Sequence, residues 1–204
     1  MTKIAIIGCG SHTRSSINLL LNNFKKEDIS IYDDSYQESQ QEFINSIPLI
    51  GIINETDSSQ YIFLSIGDND LRKKYFLKFK NQLINKTLLH SASLQEKDVV
   101  FGIANQIFAN SYINSQVIIG DNNIINTAAI IEHEVKVGSH NHISVGAKIC
   151  GRSSIGNLCF IGAGSLISDK LTICDNVIIG AGSVVIHNIN ESGTYVGNPA
   201  KKIK

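Results

Sequence analysis

Two periodicities divide the sequence and predict its fold class, a small α/β domain with a parallel sheet followed by a parallel β-helix. Residues 1 to about 90 alternate strand-like apolar runs with helix-like stretches. From Ile107 onward every sixth residue is Ile or Val, through fourteen consecutive positions to Val185. A period of six belongs to neither a helix nor an ordinary strand, and a hexapeptide repeat is the signature of a parallel β-helix.

In the first half, KIAIIG (3–8) reads as a buried strand, and Thr13 to Lys26 as a helix with apolar Ile17, Leu20, Leu21 and Phe24. ISIYD (29–33) and YIFLSIG (61–67) read as further strands. Asp68 is suited to cap a helix carrying Leu71, Tyr75, Phe76 and Phe79, and KTLLH (86–90) reads as a fourth strand. Strand and helix in alternation predict a parallel sheet whose ligand site lies at the carboxyl ends of its strands. GCG at 8–10 follows a strand and precedes a helix, which favours a phosphate-bearing ligand at the helix N-terminus. A dinucleotide fingerprint would need glycine where this chain has Thr13, which argues against a nicotinamide-dependent reductase.

In the second half, three short strands make a triangular coil of eighteen residues, with the apolar residue of each hexad pointing inward. Small residues beside it, Gly120, Gly138, Gly156, Gly162 and Gly180, are expected to let the chain corner tightly. Coils stack at about 4.8 Å, so Ile125, Ile143, Ile161 and Ile179 should form one column, and the hexads from Ile107 amount to between four and five coils. The expected domains are 1–95 and 96–204, the latter ending in a short tail.

Eighteen basic residues balance eighteen acidic ones, so no positive field draws the chain to nucleic acid or to an anionic membrane, and neither is an expected partner. With no leader-like N-terminus and no run of about 18 apolar residues, a cytoplasmic protein is expected. Cys9, Cys150, Cys159 and Cys174 lack CxxC spacing and read as small buried hydrophobes. His133 stands at the third place of its hexad, beside a corner, where a side chain leaves the coil. Neutral imidazole takes a proton near pH 7, and Glu134 can hold its tautomer and raise its basicity. The alternative is a surface His–Glu pair without a role.

The period-six run, the segment NTAAIIEHEVKVGSHNHISVGAKICG (126–151) and the ending YVGNPAKKIK (195–204) resemble hexapeptide acyltransferases, specifically the sugar acetyltransferases that include bacillosamine-pathway, perosamine and sialic acid enzymes. GCGSH at 8–12, YDD at 32–34 and SIGDNDLRKKY at 65–75 resemble that subfamily's nucleotide-sugar-binding domain. The resemblance implies a Rossmann-like first domain and a left-handed β-helix. It implies His133 as general base with Glu134 as its partner, and His142 at the acetyl end of acetyl-CoA, with Ala163 and Ala181, both in IGAG, as further cofactor contacts. It places Gly10, Ser11, His12, Asp33, Asp34 and Gly67 around a sugar nucleotide. For the two aspartates a strand-end cap is the competing reading.

The activity implied is N-acetylation of a nucleotide-linked amino-deoxy sugar in bacterial surface glycan biosynthesis, by a homotrimer with the cofactor groove between subunits. O-acetylation of sialic acid or a related sugar hydroxyl is the alternative. A covalent acetyl-enzyme is not expected, because no cysteine lies near the His133 motif along the repeat. No metal is expected: a zinc site of the carbonic anhydrase kind on this fold needs three histidines, and His140 and His142 stand only two apart. A non-catalytic scaffold is the remaining alternative, and the His133–Glu134 pair argues against it.

Overall fold

The computed structural model describes residues 3–39 and 42–204. The first unit is a five-stranded sheet in the order β3-β4-β2-β1-β5, formed by β1 (Ile4–Ile7), β2 (Ile29–Tyr32), β3 (Phe43–Ile44), β4 (Ile47–Gly51) and β5 (Tyr61–Leu64). Strands β1, β2, β4 and β5 are parallel, and β3 closes an antiparallel hairpin with β4 that the sequence did not announce. Helix α1 (Ser11–Leu21) follows β1, and α2 (Asn69–Lys78) follows β5. Asp68 caps α2 as expected, its Oδ1 accepting from Leu71 N at 2.7 Å.

Helix α1 starts two residues earlier than the apolar spacing suggested and stops at Leu21. Asn22 caps it, and the Asn23 and Phe24 amides both turn back to Leu20 O. KTLLH is no strand of the α/β sheet. Leu88–Leu89 pairs in parallel with Gln106–Ile107 and is the first strand of the β-helix. The stacked coils therefore begin one eighteen-residue turn before the Ile/Val run.

From Leu88 the chain winds over three faces. One carries Leu88–Leu89, Gln106–Ile107, Ile124–Ile125, His142–Ile143, Phe160–Ile161 and Val177–Ile179. Both helices dock on this face and its edge, and we call it the docking face. The inward residues stack in register, Ile125 on Ile143, Ile143 on Ile161 and Ile161 on Ile179, all with no exposure. Gly193–Val196 adds a last parallel strand, against which Lys201–Lys202 folds back.

Left-handed backbone does not fall on the glycines named from the sequence. It falls two residues further along each hexad, at Asn122, His140 and Leu158 on one corner and at Gly146, Gly164 and Gly182 on another. Gly138 has a different reason: a Cβ there would stand 2.6 Å from Gly156 O, so glycine lets consecutive coils approach.

One corner is held by an asparagine ladder. Asn105, Asn123 and Asn141 lie eighteen apart and are buried; the Oδ1 of each accepts the backbone N–H of the next coil, at Asn123, Asn141 and Cys159. Their Nδ2 groups donate to Gly120, Gly138 and Gly156 O. Among the described residues no helix is long and apolar enough to cross a membrane.

Asn123→Ala would strand the Asn141 amide and the Gly138 carbonyl in the interior. A loss of about 2–4 kcal/mol in unfolding free energy is expected, since each buried unmet group costs about 1–3 kcal/mol. Chemical denaturation of the variant against wild type measures it, and a loss below about 0.5 kcal/mol would show that the ladder is not stabilising.

Candidate active site

The two units meet in a cleft of about 470 Å³ lined by Gly67, Asp68, Asn69 and Asp70 at the start of α2 and by His142, Leu158, Phe160 and Ile178 of the β-helix. The sheet folds so that the β5–α2 turn ends at its carboxyl edge, facing the docking face. Leu19 of α1 packs there on Phe108 and Ile124, and the Phe76 ring meets His140 edge-on. Gln106 Nε2 donates to Leu64 O at 2.7 Å.

His142 is nine-tenths buried in this cleft. Its Nδ1–H donates to Gly67 O at 3.3 Å, and its Nε2 accepts from Asn126 Nδ2 at 3.2 Å. Asn126 is itself oriented by accepting the Thr127 amide at Oδ1. Both ring nitrogens are thus partnered in the neutral form. Burial, then the Arg72 cation, pushes the His142 pKa down to about 4.

His12 lies beside it, ring centroids 6.1 Å apart, and its Nε2–H donates to Gln106 Oε1 at 3.0 Å. Burial lowers its pKa too. Gly67 and His12 are adjacent, 3.9 Å from a Cβ built on Gly67 to the His12 Cβ. Gly10 caps α1 with no side-chain cap and no acid in the first turn, and a Cβ there would meet nothing within 4 Å. Open space at Gly10 and the exposed Ser11 leaves the N-terminal amides of α1 accessible to an anion.

Asp33 and Asp34 have local partners. Asp33 Oδ2 accepts from Cys9 N at 2.8 Å and Oδ1 from Ser35 N at 2.9 Å. Asp34 accepts from Ile53 N at 3.2 Å and from Tyr75 Oη at 3.3 Å. The strand-end role weighed for them is therefore real, and through Cys9 it fixes the turn before Gly10.

His133 stands elsewhere. It follows the strand Ile130–Ile131 and precedes Lys136–Val137, so it occupies the corner between the two faces other than the docking face. On a triangular coil that corner is the vertex opposite the cleft, and within one chain His133 and His142 do not come together. The His133 ring is half-exposed. Its Nδ1–H donates to Glu134 Oε1 at 3.1 Å, which leaves the Nε2 lone pair free. Glu134 has left-handed backbone, φ 60°, which turns its carboxylate back toward the ring. Exposed Ala163 and Ala181 sit at a third place, the corner after the docking face.

Four features escaped the sequence reading. Gly151 lies in the coil next to His133, and a Cβ on it would stand 2.6 Å from His133 Nε2, so glycine makes room for the ring; an eighteen-residue offset from His133 finds it. Cys150, beside Gly151, follows Ile149, which stacks on Ile131, so a cysteine does lie near the His133 motif in space. Its thiol pKa is raised by burial and then by the carboxylates of Asp169 and Glu132, which keeps it protonated. Arg72 is completely buried, and Asn69 Nδ2 donates to Cys159 O at 3.0 Å. Among the described residues no group of three metal-ligating side chains converges.

Residues 3–79 match the PglD N-terminal domain family. The whole chain superposes on the acetyltransferase domain of PglB from Neisseria gonorrhoeae, with TM-score 0.89, 26% identity and 100% of each chain covered; another structure of that domain holds acetyl coenzyme A. It superposes equally on perosamine N-acetyltransferase from Caulobacter crescentus, a histidine-to-asparagine variant in complex with CoA and GDP-perosamine, with TM-score 0.89, 26% identity, and 100% of this chain and 98% of that one covered. WeeI from Acinetobacter baumannii shares the fold at 20% identity, TM-score 0.87, over 100% of each chain. No curated protein sequence matches the chain.

The cleft predicts a pH dependence. His140 and His142 are neutral in the folded chain with pKa values lowered from 6.5 to about 4, His140 chiefly by burial and then by Lys73. Between these values the unfolded chain binds more protons than the folded one, so stability is full above about pH 6.5 and falls as pH drops toward 4. Unfolding midpoints across that window should show the fall, and His142→Gln should make it shallower. A slope unchanged in the variant would remove His142 as a contributor.

Proposed function

We propose that this chain, an acetyltransferase on the fold of the hexapeptide-repeat sugar acetyltransferases, moves acetyl from acetyl-CoA to the amine of a nucleotide-linked amino-deoxy sugar. The observation that carries the reading is the full-length likeness to an N-acetyltransferase bound to CoA and GDP-perosamine, in a chain with an exposed His133–Glu134 pair. The sugar nucleotide takes the cleft, its phosphates at the open N-terminus of α1 beside Gly10, Ser11 and His12, and its nucleoside near Asp33 and Asp34. Gly67 lies under the sugar. Surface glycan synthesis in the cytoplasm of a bacterium is the setting that fits such an acceptor.

His133 Nε2 takes the proton of the attacking amine as its nitrogen bonds to the thioester carbon. Glu134 holds the Nδ1–H tautomer and stabilises the imidazolium that forms. The carbon–sulfur bond then breaks, and His133 gives the proton to the departing sulfur, which leaves as the thiol of CoA. With Cys150 protonated, no acyl-enzyme step is needed.

Because His133 faces away from the cleft of its own chain, the base must come from a neighbouring copy. We propose a homotrimer in which the His133 corner of one chain meets the Ala163–Ala181 corner and the His142 face of the next, with acetyl-CoA in the groove between them. Light scattering should give three times the chain mass of 22.3 kDa at micromolar concentration; a single-chain mass in active enzyme would contradict this.

His133→Ala should lower kcat by roughly two to four decades, the usual worth of a positioned base, with little change in acetyl-CoA affinity. Glu134→Ala should cost less, because it tunes the base rather than replacing it. Thiol release from acetyl-CoA in the presence of amino sugar nucleotides measures both. Turnover of His133→Ala within threefold of wild type would remove His133 from the mechanism.

A further inference from the structure

The floor of the cleft is the turn Ile66–Asn69, and every residue of it accepts a hydrogen bond from one buried cation. Arg72 Nη1 donates to Ile66 O at 3.0 Å, Gly67 O at 3.1 Å and Asp68 O at 3.4 Å, and its Nη2 to Asn69 Oδ1 at 2.8 Å. The same guanidinium reaches into the β-helix corner. Its Nε donates to Asn122 O at 3.2 Å, and its Nη2 to His140 O at 3.2 Å and Asn141 O at 3.0 Å. Arg72 has no exposure and, among the described residues, no salt-bridge partner. Burial pushes its pKa down to about 9, which still leaves it a cation at neutral pH.

A joint needed only for stability is served as well by apolar packing, which often matches or exceeds a buried charge. What a planar fork supplies instead is direction: it fixes several carbonyls on two sides at once. One of those carbonyls, Gly67 O, also takes the Nδ1–H of His142, so its orientation sets both the floor of the cleft and the tautomer of the ring in its wall.

We propose that Arg72 is a positioning residue for the acceptor substrate, holding the Ile66–Asn69 turn against the β-helix corner so that Gly67 faces the bound sugar. This rests on reading the cleft as the sugar-nucleotide site. Arg72 touches neither substrate nor the reacting atoms and acts through the turn.

Arg72→Gln and Arg72→Lys test it in the full-length enzyme, with acetyl-CoA and UDP-, dTDP- and GDP-linked amino-deoxy sugars as probes. The Michaelis constant of the accepted sugar nucleotide should rise about tenfold or more, with that of acetyl-CoA within about twofold. Amide exchange at Leu71, whose N–H is held by Asp68 Oδ1 of the turn, should quicken about tenfold. The His142 ring, followed by NMR, should titrate at higher pH in Arg72→Gln, because the cation that disfavours its protonation is gone. Lysine keeps a charge and three donors, so Arg72→Lys should fall between wild type and glutamine.

Equal rises in both Michaelis constants, or unchanged exchange at Leu71, would overturn the proposal. So would failure of both variants to fold, which would make Arg72 a structural residue alone. Should wild type acetylate none of these sugars, the functional reading fails, while exchange and the His142 titration still decide the role of Arg72.

Discussion

Stacking in an eighteen-residue register is the constraint from which the rest of the molecule follows. Each coil hydrogen-bonds to the next through parallel strands only two or three residues long in the β-helix proper, so the side chains eighteen positions away become a residue's neighbours. That rule fills the interior with Ile columns and aligns Asn105, Asn123 and Asn141 into a ladder. It also opens a space over Gly151 for the His133 ring. It makes the corners rigid as well, because a left-handed residue recurs at each of them and cannot shift without breaking the coil above.

On this rigid prism the α/β unit is fastened at one face, by different means at different points. Leu19 against Phe108 and Ile124 supplies apolar burial. Arg72 and Gln106 supply direction, tying the carboxyl edge of the sheet to the β-helix through buried hydrogen bonds. The cost of burying a guanidinium is offset because each of its nitrogens finds acceptors, six of them backbone carbonyls. The cleft is therefore a seam between two units, and its two walls answer to different sequence rules.

This explains what could be read from the chain. The period of six exposed the β-helix because an inward position tolerates little but Ile or Val. The first coil breaks the pattern because Leu89, Gln95 and Phe101 occupy its inward places: it closes an open end and buries less. The His133–Glu134 pair stands out from its place in the hexad, Gly67 only through the family resemblance, and Asp68 from its place before a helix. Arg72 was not, since Arg72-Lys73-Lys74 reads as the solvated side of a helix, and only docking turns the first of the three inward. The nearness of Cys150 and Gly151 to His133 is hidden for the opposite reason: distance along the chain conceals a contact that stacking enforces.

The chemistry proposed for this fold comes down to which atom receives the acetyl group. A half-exposed imidazole with its Nδ1–H held by a carboxylate serves an amine or a hydroxyl equally as base, so the acceptor is decided by what the cleft binds. The most direct measurement is the linkage in the product formed from acetyl-CoA and nucleotide-linked amino-deoxy sugars, determined by tandem mass spectrometry with and without hydroxylamine. The expected product carries an acetyl amide on the sugar nitrogen that survives hydroxylamine and is absent when the amine is replaced by a hydroxyl. An acetyl ester removed by hydroxylamine, or transfer that does not depend on the amine, would contradict it.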